Sequence, residues 1–489
     1  MLNLWTYTHR AGGHRLEALR LDSTWRLNFP RVPTERSPLS ERRAPRKRWG
    51  LDDVCGLRGR LNESKIRTNA GLGSTTNRGV RELLTFHTPL DLVRERLPEL
   101  PVACVRPERV SIAATWFRDN FPGDVLYAVK ANPSLWALDA VYATGLRWFD
   151  VASENEIKLI ASRYSDAKMA FMHPVKSRKA IERAYFEHGV RVFSLDCEAE
   201  LEKIVAATQR ADDLTLVVRL AVSNSDAVYA LSNKFGVSET SAPALLQKAR
   251  RFADNLGVSF HVGSQCMNPS AFRDAMDLAS GLIREAGVIV DVVDVGGGFP
   301  SAYPSMTPPD LELYVKVIKE VFEQMPVAMN AKLWCEPGRA MVAESTSILA
   351  RVELVKDGAL HINDGSYGNL FDAAHCKWPF PVKAHRADRA FEGGEQTFKL
   401  YGPTCDSLDA MEGPFTLPAD IREGDYIEFG MLGAYGVAMQ TRFNGFGETE
   451  NITVQDQPWT SMYGPVEKRV AAPARRPARK GSRRLKVVS

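Results

Sequence analysis

The sequence predicts an α/β fold, a (β/α)8 barrel followed by a C-terminal, mostly antiparallel β domain. Three observations carry this. Eight short runs rich in β-branched and aromatic residues, at about 124–130, 147–152, 168–174, 191–196, 214–220, 258–263, 292–296 and 331–335, alternate with stretches of helical spacing. After residue 340 the alternation stops, and strand-like runs at 347–356, 359–363, 397–401 and 425–430 follow one another with only turns between them. Unusual polar residues recur at the C-terminal ends of the first set of runs, the end at which closed barrels carry their sites.

In chain order, residues 1–80 are a basic extension with 16 Lys+Arg against 7 Asp+Glu, and residues 465–489 a basic tail with 9 against 1. The residues between carry 38 against 51, so a net charge of +4 conceals an acidic body. Charge interspersed with Pro and Ser, as in Arg42-Arg43-Ala44-Pro45-Arg46-Lys47-Arg48, favours disordered, solvated ends over a nucleic-acid or membrane surface, and the acidic body argues the same way. Seven scattered cysteines (55, 104, 197, 266, 335, 376 and 405) form neither a metal-type cluster nor a disulfide framework, so the expectation is no metal and reduced thiols. No apolar stretch approaches the roughly 20 residues that span a bilayer, and residues 1–30 lack the apolar centre of a signal peptide. A cytoplasmic protein is expected.

Residues 81–106 read as a lead-in that brings a strand, 102–106, to the β domain. Pro107 to Asn120 then reads as a helix, with Pro at its first position and apolar residues at 110, 113, 114 and 117. It opens the barrel, expected over 107–340, with helices such as Glu154 to Ser162 and Ala271 to Ala286 between strands. The β domain is expected over 341–464. Its loops Gly402-Pro403-Thr404-Cys405-Asp406-Ser407-Leu408-Asp409 and Gly433-Ala434-Tyr435-Gly436 lie between apolar runs, where a rigid sheet positions them.

Chemistry is expected at Lys130, where Tyr127-Ala128-Val129-Lys130-Ala131-Asn132-Pro133 ends an apolar run at Asn-Pro. An amine leaving a buried strand for a cavity loses solvation, which lowers its pKa and lets it form a Schiff base with an aldehyde at neutral pH. Pyridoxal phosphate (PLP) is the obvious aldehyde; the competing reading is a lysine that only snorkels from a strand end. Strand ends also offer Asp150, Arg219, His261 with Ser264, the triplet Gly296, Gly297 and Gly298, and Glu336-Pro337-Gly338-Arg339. The loops after strands seven and eight commonly bind phosphate in such barrels. Here they hold glycines, which admit phosphate to backbone N–H groups, and an arginine fork of donors.

Six motifs in order, Tyr-Ala-Val-Lys-Ala-Asn (127–132), His-Val-Gly-Ser-Gln (261–265), Gly-Gly-Gly-Phe-Pro (296–300), Glu-Pro-Gly-Arg (336–339), Gly-Pro-Thr-Cys-Asp-Ser-Leu-Asp (402–409) and Gly-Ala-Tyr-Gly (433–436), resemble the ornithine/lysine decarboxylase branch of the alanine-racemase-fold PLP enzymes. The resemblance covers roughly residues 84–450 and leaves out both tails. It implies that Lys130 carries PLP, that Glu336 binds the pyridine nitrogen, and that His261 stacks on the ring. It further implies that Ser264, Gly298 and Arg339 bind phosphate with Tyr435 beside it, that Gly296, Gly297 and Gly338 also bind the cofactor, and that Asp150, Glu156 and Arg219 surround the lysine and cofactor. By the same resemblance the enzyme is a homodimer with shared sites. Each subunit lends Cys405 as proton donor and Asp406 as ligand of the distal amine, and Lys234 pairs with Asp409 across the interface. Phe371 and Asp372 complete the substrate site, on a loop (Tyr367 to Asp372) shorter than in animal relatives.

The implied activity is decarboxylation of L-ornithine to putrescine in polyamine biosynthesis, with lysine also a candidate because one methylene gives only about 1–3 kcal/mol of discrimination. Diaminopimelate decarboxylase is the nearest alternative, but it typically has Glu where Asp406 follows Cys405. A non-catalytic relative of the antizyme-inhibitor kind would be expected to have lost the lysine, the cysteine or the phosphate ligands, and none is lost here.

Overall fold

The structure, a computed structural model, describes residues 84–222, 227–229, 234–304 and 306–464; both basic tails lie outside these residues. Eight parallel strands, Asp124–Ala128, Trp148–Val151, Lys168–Phe171, Val192–Leu195, Thr215–Arg219, Asn255–Ser259, Val292–Asp294 and Lys332–Cys335, close into a barrel in that order, with the last pairing back on the first. Leu126, Ala170, Met172, Val192, Val217, Val292 and Trp334 fill its interior, so the barrel is a packed core.

The helices between strands follow the expected stripes. Pro107–Asn120 buries Val110, Ala113, Ala114 and Phe117. Glu154–Arg163 starts where Ser153 accepts the Glu156 N–H (3.3 Å), and Ser270–Ala286 stops at Gly287, whose φ of 63° suits the left-handed cap. Seven of the eight barrel strands fall within the expected runs. The sixth lies earlier, at Asn255–Ser259 rather than 258–263, because Phe260, His261 and Val262 continue the apolar run while the backbone has already left the ladder.

Beyond the barrel lies a nine-stranded, mostly antiparallel sheet. Its longest strand, Thr346–Lys356, pairs antiparallel with Val102–Val105, so the lead-in strand belongs to this sheet; Glu450–Val454 pairs with the other edge of Val102–Val105 in parallel. The sheet is therefore built from chain on both sides of the barrel. A final segment, 456–464, runs back across the junction. Thr460 donates to Ala302 O (2.8 Å), Met462 N–H to Glu344 (2.6 Å) and the Tyr463 hydroxyl to Ala340 O (2.8 Å), while buried Arg109 pairs with Glu344. Among the described residues no helix is long and apolar enough to cross a membrane, and no group of three or more His, Cys, Asp or Glu could hold a metal.

Candidate active site

Barrel strand ends and two segments of the β domain, 371–378 and 435–439, meet around Lys130. The lysine sits in a single 3-10 turn, Val129–Ala131, directly after the first barrel strand. The turn is tied on both sides: Ala128 N–H donates to Pro337 O (3.3 Å), Asn132 Nδ2 to Gly433 O (2.9 Å), and Tyr435 N–H to Ala131 O (2.9 Å). Tyr435 adopts φ 57°, a left-handed conformation that a tyrosine keeps only when its surroundings impose it. A cavity of about 370 Å3 is lined by Lys130, Asp150, Arg219, His261, Ser264, Glu336 and Tyr435, and an adjoining lobe of about 260 Å3 by Lys130, Ser264, Arg339, Phe371, Asp372 and Tyr435.

Lys130 Nζ donates to Asp150 Oδ2 at 2.5 Å, and the two sides of the pair differ in burial: Asp150 is 2% exposed, Lys130 41%. The expected fall in the lysine pKa is not what the site produces. Burial alone would lower it, but Asp150 and Glu336 outweigh burial and hold the ammonium above the ordinary lysine range. His261 goes the other way: burial, then the cations Arg219 and Lys130, push it well below the usual range, so the ring is neutral, with Nδ1 accepting the Gly263 N–H (3.0 Å). Glu156 caps its own helix and accepts the Ala152 N–H at 2.6 Å; burial raises its pKa.

The glycine triplet makes room. A Cβ on Gly297 would lie 2.8 Å from Glu336 O and 3.0 Å from His261 Nε2, and one on Gly298 2.5 Å from Gly263 O. Gly338 likewise has Ala131 Cβ 3.0 Å from where its own would be. Next to them Arg339 is buried with its guanidinium 4.2 Å from the Trp378 ring centre and 4.9 Å from that of Tyr435. It donates to Ser264 Oγ, Tyr303 Oη and Asp372 Oδ2, each at 3.3 Å. These residues fit a PLP: an amine for the aldehyde, an acid in the same cavity for the ring nitrogen, and a glycine-lined, arginine-bearing corner for the phosphate.

Cys405 and Asp406 line neither lobe. Cys405 is exposed on the loop after the Glu395–Tyr401 strand, its N–H donating to Asn444 Oδ1 (3.1 Å), with exposed Leu408, Phe443 and Phe446 also on the β domain. The Asp406 carboxylate accepts from the Tyr367 hydroxyl (2.5 Å) and the Leu408 N–H (3.0 Å), bonds that lower its pKa. Asp409 is buried and satisfied within its own chain: it accepts from Ser366 N–H and Oγ (2.7 and 3.0 Å) and from Thr404 N–H and Oγ1 (3.0 and 2.8 Å). Lys234 is exposed and has its Nζ 5.0 Å from the Phe235 ring.

Several residues of the site escaped the sequence reading. Trp378, Tyr303 and Cys376 reach it only through tertiary packing and carry no local signal. Asp294 did carry one: it ends an apolar barrel strand two positions before Gly296, and a polar residue at a strand end is the criterion that singled out Asp150.

Comparison with known proteins gives the same picture. Residues 108–343 match the family described as pyridoxal-dependent decarboxylase, pyridoxal binding domain. The chain is 32% identical over 375 residues to the ornithine decarboxylase of Caenorhabditis elegans (71% of this chain, 85% of that one). To the lysine/ornithine decarboxylase of Selenomonas ruminantium it is 29% identical over 374 residues (74% and 92%). The crystal structure of the Paramecium bursaria Chlorella virus arginine decarboxylase bound to agmatine superposes with a TM-score of 0.66 at 25% identity, covering 74% of this chain and 98% of that one.

Proposed function

Because the chain belongs to the pyridoxal-dependent decarboxylases, with PLP as cofactor, we propose that it converts L-ornithine to putrescine and CO2, for polyamine synthesis in the cytoplasm, and accepts L-lysine as a second substrate. The observation that carries the proposal is the convergence of Lys130, Glu336 and Arg339 on one cavity whose wall also holds the carboxylate Asp372.

Bound PLP supplies an electron sink for the pair of electrons left when CO2 departs. Lys130 would hold the cofactor through its aldehyde, and because Asp150 and Glu336 favour the charged form of the amine, that amine would first have to give up a proton. Glu336 would serve the ring nitrogen, the neutral His261 would pack on the ring, and Arg339 with Ser264 and the glycines would hold the phosphate. Asp372 takes the distal amine of the substrate, and its bond to Arg339 keeps it oriented at the cavity wall.

A proton must return to the substrate carbon after CO2 leaves. Cys405 and Asp406 are placed on the β domain outside the cavity of their own chain, which supports the reading that each serves the cavity of a second copy in a homodimer. The exposed apolar residues Leu408, Phe443 and Phe446 supply contact area for that copy. Product analysis after incubation with PLP and ornithine, lysine, arginine or diaminopimelate tests the substrate assignment. Putrescine is the expected main product; agmatine or lysine as the main product refutes it.

A further inference from the structure

Behind Glu336 the barrel holds a second acid that the reaction described above does not use. Asp294 closes the Val292–Asp294 strand and is fully buried. It pairs in register with Trp334, two residues before Glu336, and the Glu336 N–H donates to Gly296 O at 2.8 Å, so the two acids are stacked on adjoining strand ends. Asp294 Oδ1 accepts the Gly296 N–H at 2.8 Å. Its Oδ2 has no hydrogen-bond partner among the described residues; the side chain that acts on it most strongly is another carboxyl, that of Glu336, with Asp150 and Lys130 acting through their charges. An acceptor facing an acceptor in a dry interior is satisfied only if a proton lies between them.

We propose that Asp294 and Glu336 share one proton, and that Asp294 is thereby a positioning residue for the reaction, holding the proton where the pyridine nitrogen of the cofactor meets Glu336. The inference rests on the reading that Glu336 faces that nitrogen. The surroundings support it. Burial, then the neighbouring acid and Asp150, raise Glu336 well above the carboxylate range, against the opposing charge of Lys130. Burial likewise lifts Asp294 to about 6. Cys335, between Trp334 and Glu336, has its thiol pushed up by burial and by these same two acids, so it supplies no compensating charge. His261, on the same cavity wall as Glu336, is held neutral. Negative charge at Asp294 therefore raises the proton affinity of whatever Glu336 is bonded to, and the ring nitrogen stays protonated to higher pH than Glu336 alone would allow.

The competing role for Asp294 is an anchor for the glycine loop through Gly296, and two substitutions separate the two. Asp294→Asn keeps a carbonyl oxygen for the Gly296 N–H but replaces the ionisable oxygen by an amide that satisfies Glu336 without a proton. Asp294→Ala removes both. The readout is the 15N shift of the pyridine nitrogen in holoenzyme carrying 15N-labelled PLP, followed against pH, with PLP affinity and the kcat-against-KM split measured alongside. For Asp294→Asn we expect PLP affinity within threefold of wild type, loss of the ring proton at a pH lower by a unit or more, and kcat down at least tenfold with KM little changed. Asp294→Ala should lose PLP affinity as well. A wild-type 15N titration in Asp294→Asn overturns the proposal, as does loss of PLP binding by a folded Asp294→Asn. Glu336→Gln distinguishes the two failures: if it too leaves the ring nitrogen unchanged, the Glu336 reading has failed, whereas if it alone shifts the nitrogen, only the role of Asp294 has. Independently of any variant folding, infrared spectra of the wild-type protein freed of PLP should contain the band of a protonated buried carboxyl at neutral pH, and its absence overturns the shared proton.

Discussion

Two inactive variants of this chain should restore one another. Lys130 lines both lobes of the cavity, while Cys405 lines neither and sits exposed on the β domain. If each Cys405 serves the cavity of the other subunit, Lys130→Ala and Cys405→Ala homodimers each have a defect in both sites and form the normal amine poorly. In a mixed dimer, two-fold symmetry sends both defects to one site and none to the other. Random exchange makes about half the dimers mixed, each with one of its two sites intact, so roughly a quarter of the wild-type activity should return. The assay is amine production from the mixture, with exchange established by tagging one variant and recovering the other with it. Mixed dimers that stay as inactive as their parents would refute the sharing of sites and with it the role of Cys405.

Reduction with borohydride in the presence of PLP should attach the label to Lys130; peptide mapping that finds it on another lysine would defeat the cofactor assignment. Replacing Asp150 by Asn removes a carboxylate that holds the Lys130 amine protonated, so in protein freed of PLP the pH profile for trinitrophenylation of Lys130 should move to lower pH, and an unmoved profile would show that the ion pair does not control this amine. Gly297→Ala places a Cβ 2.8 Å from a backbone oxygen that cannot swing aside, and PLP affinity measured by absorbance titration should fall at least tenfold with the fold intact by circular dichroism. Arg109→Met leaves the buried Glu344 without its cation, a loss of about 3–5 kcal/mol, and the thermal midpoint should drop by several degrees. Asp406→Glu moves an anion by about one methylene, and the ratio of ornithine to lysine turnover should change; an unchanged ratio would remove Asp406 from substrate choice.

What the sequence revealed depended on how local the cause was. The barrel strands were legible because each is a short apolar run closed by a polar residue, and the strand-end rule found Lys130, Asp150, Arg219 and Glu336 without any fold in hand. The same rule misplaced the sixth strand, since apolar content cannot distinguish the ladder residues 255–259 from Phe260-His261-Val262, whose side chains are wanted at the mouth. In the β domain, Ala410–Pro418 went unrecognised because Gly413-Pro414 reads as a turn, yet it lies inside a strand paired with Glu395–Tyr401. Glu450–Val454 was hidden because its pairing partner is Val102–Val105, and no window along the chain contains both. Lys130 was read in isolation, where burial dominates; the two carboxylates that reverse the direction come from other strands.

The weaving of the β sheet from both sides of the barrel has a consequence for how the chain comes to be folded. Val102–Val105 is apolar throughout and finds its partners only at Thr346–Leu349 and Glu450–Thr453. At ribosomal speeds of about 5–20 residues per second, the second of these emerges roughly 20 to 70 seconds after the first strand has left the tunnel. During that interval the barrel can close, since its strands are contiguous in sequence, but the hydrophobic ribbon must wait beside it, with both edges open until Thr346–Leu349 emerges and one edge open after that. Nascent chains stalled between residues 340 and 450 should accordingly be the ones that aggregate or recruit chaperones.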